Sequence, residues 1–354
     1  MSRKNEGRGT PVNFPNRFNK LHLEPIDLEL PPGDELPRPK TEFFRDSSRS
    51  ILAKNDSPDL PFTYSINPYR GCEHGCIYCY ARPSHEYLGF SAGLDFESKI
   101  MVKLDAAKLL DQTFSKSNWI PQMVALSGNT DCYQPAEKRL ELTRQCLEVF
   151  LKYRNPVGIV TKNALVLRDL DLLQEMAQHE IVHVMVSITT LSDQLVRNME
   201  PRTSTPQRRL EAIASLAEAG VPVGVNAAPI IPGLTDEELP SILKAASDHG
   251  ATTAGYILLR LPGAVKPMFL DWLKRSVPDR AAKILNRIRE TRDGLLSDPR
   301  FGKRMTGDGE IARTIQGLFD IHIAKYNLDP RWCALRTDGF RRPGKHQIGL
   351  FEGQ

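Results

Sequence analysis

The sequence predicts an α/β protein built on parallel strands. Short apolar, β-rich runs alternate with helical segments from about residue 62 to 262. Polar and glycine-containing stretches punctuate the two, and helix-start signals fall where the alternation needs them. The expected strands are Phe62–Asn67, Gln122–Ser127, Val157–Thr161, Ile181–Ile188, Val221–Ala227 and Thr253–Leu259, with Lys99–Lys103 a short extra strand outside that count. Six such units make a partial barrel plausible, but periodicity does not separate it from an open, doubly wound sheet.

Taken in order, residues 1–60 carry little periodicity, and PVNFPNRF, LPPGDELPRPK and NDSPDLP are rich in proline and polar side chains. This reads as an extended arm, partly disordered in isolation, whose start is basic through Arg3, Lys4, Arg8, Arg17 and Lys20. Residues 61–265 form the core unit. Within it Thr205 and Pro206 start a helix with Leu210, Ile213, Leu216 and Ala217 on its apolar face and Gly220 beyond its end. Thr235 and Glu238 have the spacing of a capping box. Residues 266–354 read as a mostly helical C-terminal extension that covers the open side of the core, WLKRSVPDRAAKILNRIRETRDGLL being its clearest part.

The composition, 40% hydrophobic and 25% charged over 354 residues, is that of a globular chain able to bury a core. No apolar run approaches the length of a membrane span and MSRKNEGRGT lacks a secretory apolar region, so a cytoplasmic protein is expected. The net charge of +4 is too small to define a partner. Its distribution is more pointed: residues 273–304 hold ten Lys or Arg against four Asp or Glu, and residues 331–345 five against one. Such clusters favour a phosphate-bearing partner or form a solvated helix face and tail.

The densest chemical signal is GCEHGCIYCYARP, directly after the first expected strand. Cys72, Cys76 and Cys79 have the spacing C-x3-C-x2-C, and Gly71 and Gly75 allow the loop to curl tightly. Three thiolates on one loop can hold a cubane iron-sulfur cluster while leaving one iron open to a small molecule. A zinc site of Cys72, His74, Cys76 and Cys79 is the competing reading, though its ligands would be crowded; a disulfide is weaker still. His74 is expected to face solvent or a partner rather than metal. Cys146 and Cys333 lack a nearby paired cysteine and read as packed thiols.

With its aromatic Tyr78 before the last cysteine, the motif resembles the signature of the radical S-adenosylmethionine (SAM) enzymes. SINPYRGCEHGCIYCYARPSHEY is similar in particular to the spore photoproduct lyase-like branch and its bacterial relatives. The resemblance implies the TIM-like partial (β/α)6 barrel of that superfamily, with chemistry at the C-terminal strand ends. It also implies a [4Fe-4S] cluster on Cys72, Cys76 and Cys79, SAM on the fourth iron, a 5'-deoxyadenosyl radical, and a reducing electron donor such as flavodoxin or ferredoxin. The implied SAM contacts are Thr130 in LSGNTDCYQP, Lys162 in IVTKN and Ser187 in MVSITT, with Ser127 and Asn129 weaker candidates. Tyr78 is placed beside cluster or adenine, and Arg202 is a candidate for the SAM carboxylate.

The implied function is lyase-like repair or modification of nucleic acid. The same chemistry on a peptide or metabolite is the alternative, and a non-catalytic zinc-binding nucleic-acid adaptor a further one. One departure bears on mechanism: where the lyase pattern has a hydrogen-donating cysteine, this sequence has Gly128, and Cys132 and Tyr133 lie beyond Asp131. Both are expected to be buried and structural.

Overall fold

In the computed structural model, described for residues 7–10, 13–14, 16–18, 40–331 and 333–343, ten strands fall into two sheets. The main sheet contains β2 (Leu52–Lys54), β3 (Tyr64–Ile66), β6 (Val124–Leu126), β7 (Val157–Thr161), β8 (Val182–Ser187), β9 (Val223–Ile230) and β10 (Thr253–Leu258). Its order is β10-β9-β8-β7-β6-β3-β2. The six strands from β3 to β10 are parallel and adjacent in chain order, and β2 pairs antiparallel with β3 at the edge. This is the expected α/β partial barrel; the first and last parallel strands do not pair. A small second sheet joins β1 (Glu42–Arg45), β5 (Lys99–Val102) and β4 (Tyr69–Arg70), and so brackets the cysteine loop.

The strands are buried on both sides, which explains why their sequences read as apolar runs rather than as alternation. Every residue of β8 is buried, His183 included. Helices cover the outside. The helix Pro206–Glu218 starts as its sequence predicts, the Thr205 hydroxyl accepting from the Arg208 N–H. The predicted capping box does not form. Thr235 Oγ1 instead accepts from Ile231 N, and the Glu238 carboxylate reaches across to Thr190 Oγ1 and Leu191 N. A better pair of buried donors thus takes the acid that would have capped its own helix.

The C-terminal part supplies helices Val265–Ser276, Pro278–Glu290 and Glu310–Lys325. Between the last two, a loop reaches both edges of the sheet. Leu258 N donates to Met305 O on the β10 side, while Asp59, just before β3, accepts from Gly302 N (2.7 Å) and pairs with Arg304 (2.5 Å). Residues 329–331 and 333–343 then cross the opposite, N-terminal end of the strands. Ala254 N donates to Asp329 O, Arg336 N to Glu180 O, Arg341 N to Tyr153 O, and the Arg342 guanidinium to the carbonyl of Trp119. The described part of the basic tail is therefore laid on the protein's own carbonyls. Several arginines and lysines of residues 273–304 are likewise matched, Arg275 by Asp271, Arg300 by Asp293 and Asp298, and Lys303 by Asp308.

Candidate functional site

The cysteine loop leaves β3 and β4 at the C-terminal end of the barrel. Gly71 and Gly75 have φ of +83° and +70°, the left-handed region that favours glycine. A Cβ on Gly75 would stand 2.8 Å from Glu97 Oε2. Two buried side chains clamp the loop. Gln134 accepts from Glu73 N and donates to Gly71 O. The Arg82 guanidinium donates to the carbonyls of Gly75, Cys76, Ala92 and Gly93 and pairs with Glu97 at 2.5 Å, both side chains fully enclosed. Glu97 also accepts from Gly9 N and Thr10 N, so the N-terminal segment is strapped onto the loop; a Cβ on Gly9 would lie 1.7 Å from Gly75 O.

The three loop cysteines are unpaired, Cys72 and Cys76 buried and Cys79 partly exposed. Burial raises the Cys76 thiol well above its ordinary value, and burial with the neighbouring Cys72 brings Cys79 up to about 11. Among the described residues no three His, Cys, Asp or Glu side chains converge on a single metal-ion position; the fit to an iron-sulfur cluster lies in the donor type, three thiols on one loop that a cationic metal core would stabilise as thiolates.

His74 corrects its expectation: it is buried, not solvent-facing. Nδ1 lies 3.4 Å from Asp131 Oδ2, and Nε2 lies 3.1 Å from Asn163 Nδ2. Burial opposes its charge, but Asp131 and then Cys72 carry its pKa up to about 10. With both ring nitrogens engaged, the residue is a brace rather than a fourth metal ligand. Asp131 is the hub of that brace. It accepts from Thr161 Oγ1 (2.8 Å), Lys162 N (2.8 Å) and Tyr133 N (2.9 Å), joining the loop after β6 to the end of β7 and to the cysteine loop.

Four elements then converge on Glu200. Its carboxylate accepts from Tyr78 Oη and Thr189 Oγ1, pairs with fully buried Arg209, and lies 3.3 Å from Lys162 Nζ. Burial disfavours the charge, yet Arg209 and Lys162 hold the carboxyl well below its usual range. Burial, and then the Glu200 carboxylate and Cys76, push the Tyr78 hydroxyl well above its ordinary value. Lys162 Nζ also donates to Thr189 Oγ1 and Ala228 O, both at 3.0 Å, and lies 5.7 Å from the Tyr78 ring centroid. Tyr78 and Lys162 thus lie near one another at the strand ends, and the Arg209 guanidinium holds the Ser187 carbonyl at the end of β8.

Thr130 is buried and donates its hydroxyl to Tyr69 O at 2.7 Å. Ser127 makes the local bond that its residue type favours, its Oγ accepting from Cys132 N, while Asn129 Nδ2 reaches across to Ser84 Oγ. Arg202 pairs with Glu73 at 3.1 Å. Cys132 and Tyr133 are fully buried, and Tyr133 Oη bonds Asp169. At Gly128 a Cβ would meet Ser65 Cβ at 2.7 Å, so any larger residue would require that neighbour to move.

The sequence profile of the radical SAM superfamily matches residues 66–246, from the strand before the cysteine loop to the helix after β9. The chain belongs to the radical SAM superfamily. Radical SAM proteins use a [4Fe-4S] cluster and SAM, and the cysteine loop lies within the matched region. Among its relatives, an uncharacterized protein of Mycobacterium tuberculosis is 40% identical over 233 residues, covering 65% of this chain and 67% of that one. An uncharacterized protein of Methanocaldococcus jannaschii is 33% identical over 175 residues, 49% and 63% of the two chains. A spore photoproduct lyase mutant solved with bound AdoMet and dinucleoside spore photoproduct superposes with a TM-score of 0.59. That match is at 17% identity over 80% of this chain and 78% of the other, and shows a shared radical SAM fold. No helix among the described residues is long and apolar enough to cross a membrane.

The sequence reading missed Arg82, Gln134, Glu97, Glu200 and Arg209. All are charged or polar yet almost completely buried; Arg82, at the end of the cysteine motif, and Gln134, within LSGNTDCYQP, carried a positional hint.

Proposed function

We propose that the protein is a radical SAM enzyme whose cluster is held by Cys72, Cys76 and Cys79 and whose substrate is nucleic acid. The observation that carries the first part is the clamped loop: three thiols on one turn at the C-terminal ends of parallel strands, its backbone fixed by Arg82 and Gln134. When bound and reduced, the cluster and SAM supply a 5'-deoxyadenosyl radical for hydrogen abstraction.

The chain's own residues hold and shield these groups. Lys162 and Ser187 offer an ammonium and a hydroxyl to the amino-acid or ribose part of SAM, and Tyr78 packs beside them. Thr130 acts through the backbone, tying the loop after β6 to Tyr69. Lys162 is the main candidate because the ammonium can exchange a neutral acceptor, Ala228 O, for an incoming carboxylate while keeping Glu200.

The nucleic-acid reading draws support from the fold shared with spore photoproduct lyase, whose solved complex holds a dinucleoside photoproduct. A further relative at 22% identity is the radical SAM Nalpha-GlyT isomerase of Pseudomonas phage M6. Gly128, crowded against Ser65, speaks against the thiol-donor route of the lyase, and Cys132 lies in the core, so a modification other than photoproduct reversal is favoured.

The test is anaerobic reconstitution with iron and sulfide, reduction with SAM present, and chromatography for 5'-deoxyadenosine. Wild type is expected to form the nucleoside, and Cys76→Ala to lose both iron and product while retaining its circular dichroism. A variant that keeps cleaving SAM would refute the ligand assignment.

A further inference from the structure

Arg82 and Arg209 each combine a carboxylate with carbonyls, and Arg292 donates to the carbonyls of Leu258, Leu259 and Lys303 although its Nε finds no partner among the described residues. Arg260 is built differently. It lies just past the end of β10, half-buried, and the backbone leading into it is fixed: Arg292 holds Leu259 O at 2.8 Å and Leu258 N donates to Met305 O. Its guanidinium has one polar contact, the Met305 sulfur at 3.6 Å, and lies 5.7 Å from the centroid of the Tyr80 ring. Among the described residues it makes no ion pair. The nearest interacting acid, Asp59, is already bonded to Gly302 N and Arg304. A guanidinium carries five N–H donors, so most of those on half-buried Arg260 are left by the protein to an incoming acceptor.

The surroundings narrow the anion. Arg304 and Arg292 add positive charge, and an aromatic ring lies by each of two guanidiniums, Tyr80 by Arg260 and Phe301 by Arg304. Tyr80, 48% exposed, follows the last cluster cysteine and is held by a 2.9 Å bond from its hydroxyl to Gly128 O; Phe301, 58% exposed, lies under Arg304 at 4.4 Å. Guanidinium groups alternating with open aromatic rings suit a strand whose phosphates and bases also alternate. A lone carboxylate would leave both rings without a stacking partner.

We infer that Arg260 is a phosphodiester-binding residue that seats a nucleic-acid strand against Tyr80 at the mouth of the barrel, beside the cluster loop. This rests on the nucleic-acid reading above and adds to it the place and the group recognised. The phosphate is held by the planar fork of the guanidinium, and the adjoining base lies over Tyr80.

The experiment is fluorescence anisotropy of the full-length reconstituted protein with a short fluorescein-labelled single-stranded DNA, and in parallel RNA, across a salt series. Arg260→Gln should weaken binding about 10-fold, the scale of one charge-assisted hydrogen-bonded contact. It should also lower the slope of log affinity against log salt by about 0.7. Arg260→Lys should restore the slope, because the charge returns, while recovering only part of the affinity. If Arg260→Gln, melting like wild type, binds with unchanged affinity and slope, the subsite is overturned and the nucleic-acid reading survives. Should wild type itself show no salt-dependent binding, the nucleic-acid reading falls and the subsite with it.

Discussion

The two sides of the barrel mouth are finished to different degrees. On the side of the cysteine loop, every large buried charge has its counterpart: Arg82 with Glu97, Arg209 and Lys162 with Glu200, His74 with Asp131. On the side of β10, Arg260 lacks an acid, Tyr80 and Phe301 are open, and the surface is held by backbone contacts from below. A region that must present thiols and a SAM pocket in one geometry gains from a closed network, whose members fix one another. A region that receives an exchangeable substrate needs donors left over. The contrast separates the half that we assign to the cofactors from the half that we assign to substrate.

The sharpest way to break the first half is to remove one member of its most enclosed pair. Glu97→Gln leaves Arg82 buried beside the cluster loop without a compensating charge and also weakens the strap to Gly9 and Thr10. Breaking a buried pair in this manner costs about 3–5 kcal/mol. The expected outcome is a lower midpoint in urea together with reduced iron uptake, read from chemical denaturation and iron analysis. Stability like that of wild type would show that the arm and the clamp are dispensable.

Acid should loosen the same half next. Burial pushes His85, enclosed with Phe90 and Phe96 beneath the loop, down to about 4. The unfolded chain binds this proton near pH 6.5, so the folded state is favoured in full above that value. The advantage declines as pH falls from about 6.5 to about 4, by about 3 kcal/mol at most. His85→Gln should flatten that part of the stability profile, measured by denaturation at stepped pH. An unchanged profile would remove His85 from the account.

The smallest effect is expected on the open side. Tyr80→Phe deletes a hydroxyl that donates to Gly128 O from a half-exposed ring, worth about 1 kcal/mol or less. Thermal melting should scarcely move, in contrast to Glu97→Gln. A large loss would mean that this rim is structural after all.

How legible these halves were in the sequence differs for a physical reason. Apolar runs located all six parallel strands to within a few residues, because strands buried on both faces advertise themselves locally. The cysteine motif and its glycines were legible for the same reason: their spacing is a short-range property. Lys162 and Ser187 could be placed by their positions at strand ends. Glu97, Gln134, Glu200 and Arg209 could not, because each is polar and matters through side-chain partners on another element, which a local reading does not show. His74 was misread on that account, since Asp131, 57 positions further on (131 − 74), is what draws it inside. Glu238 was misread in the opposite direction, a local capping signal overridden by donors on Thr190 and Leu191.

The loop that reaches both sheet edges also bears on how the protein is made. Gly302 and Asp59 are 243 residues apart, so this latch forms only after most of the polypeptide has left the ribosome. Until then β10 presents an edge of unpaired backbone groups, the kind of template on which nascent chains associate. A chain stopped at residue 299 is therefore expected to aggregate during synthesis, measured as insoluble product in a cell-free reaction. A soluble product would show that the barrel protects its own edge without the latch.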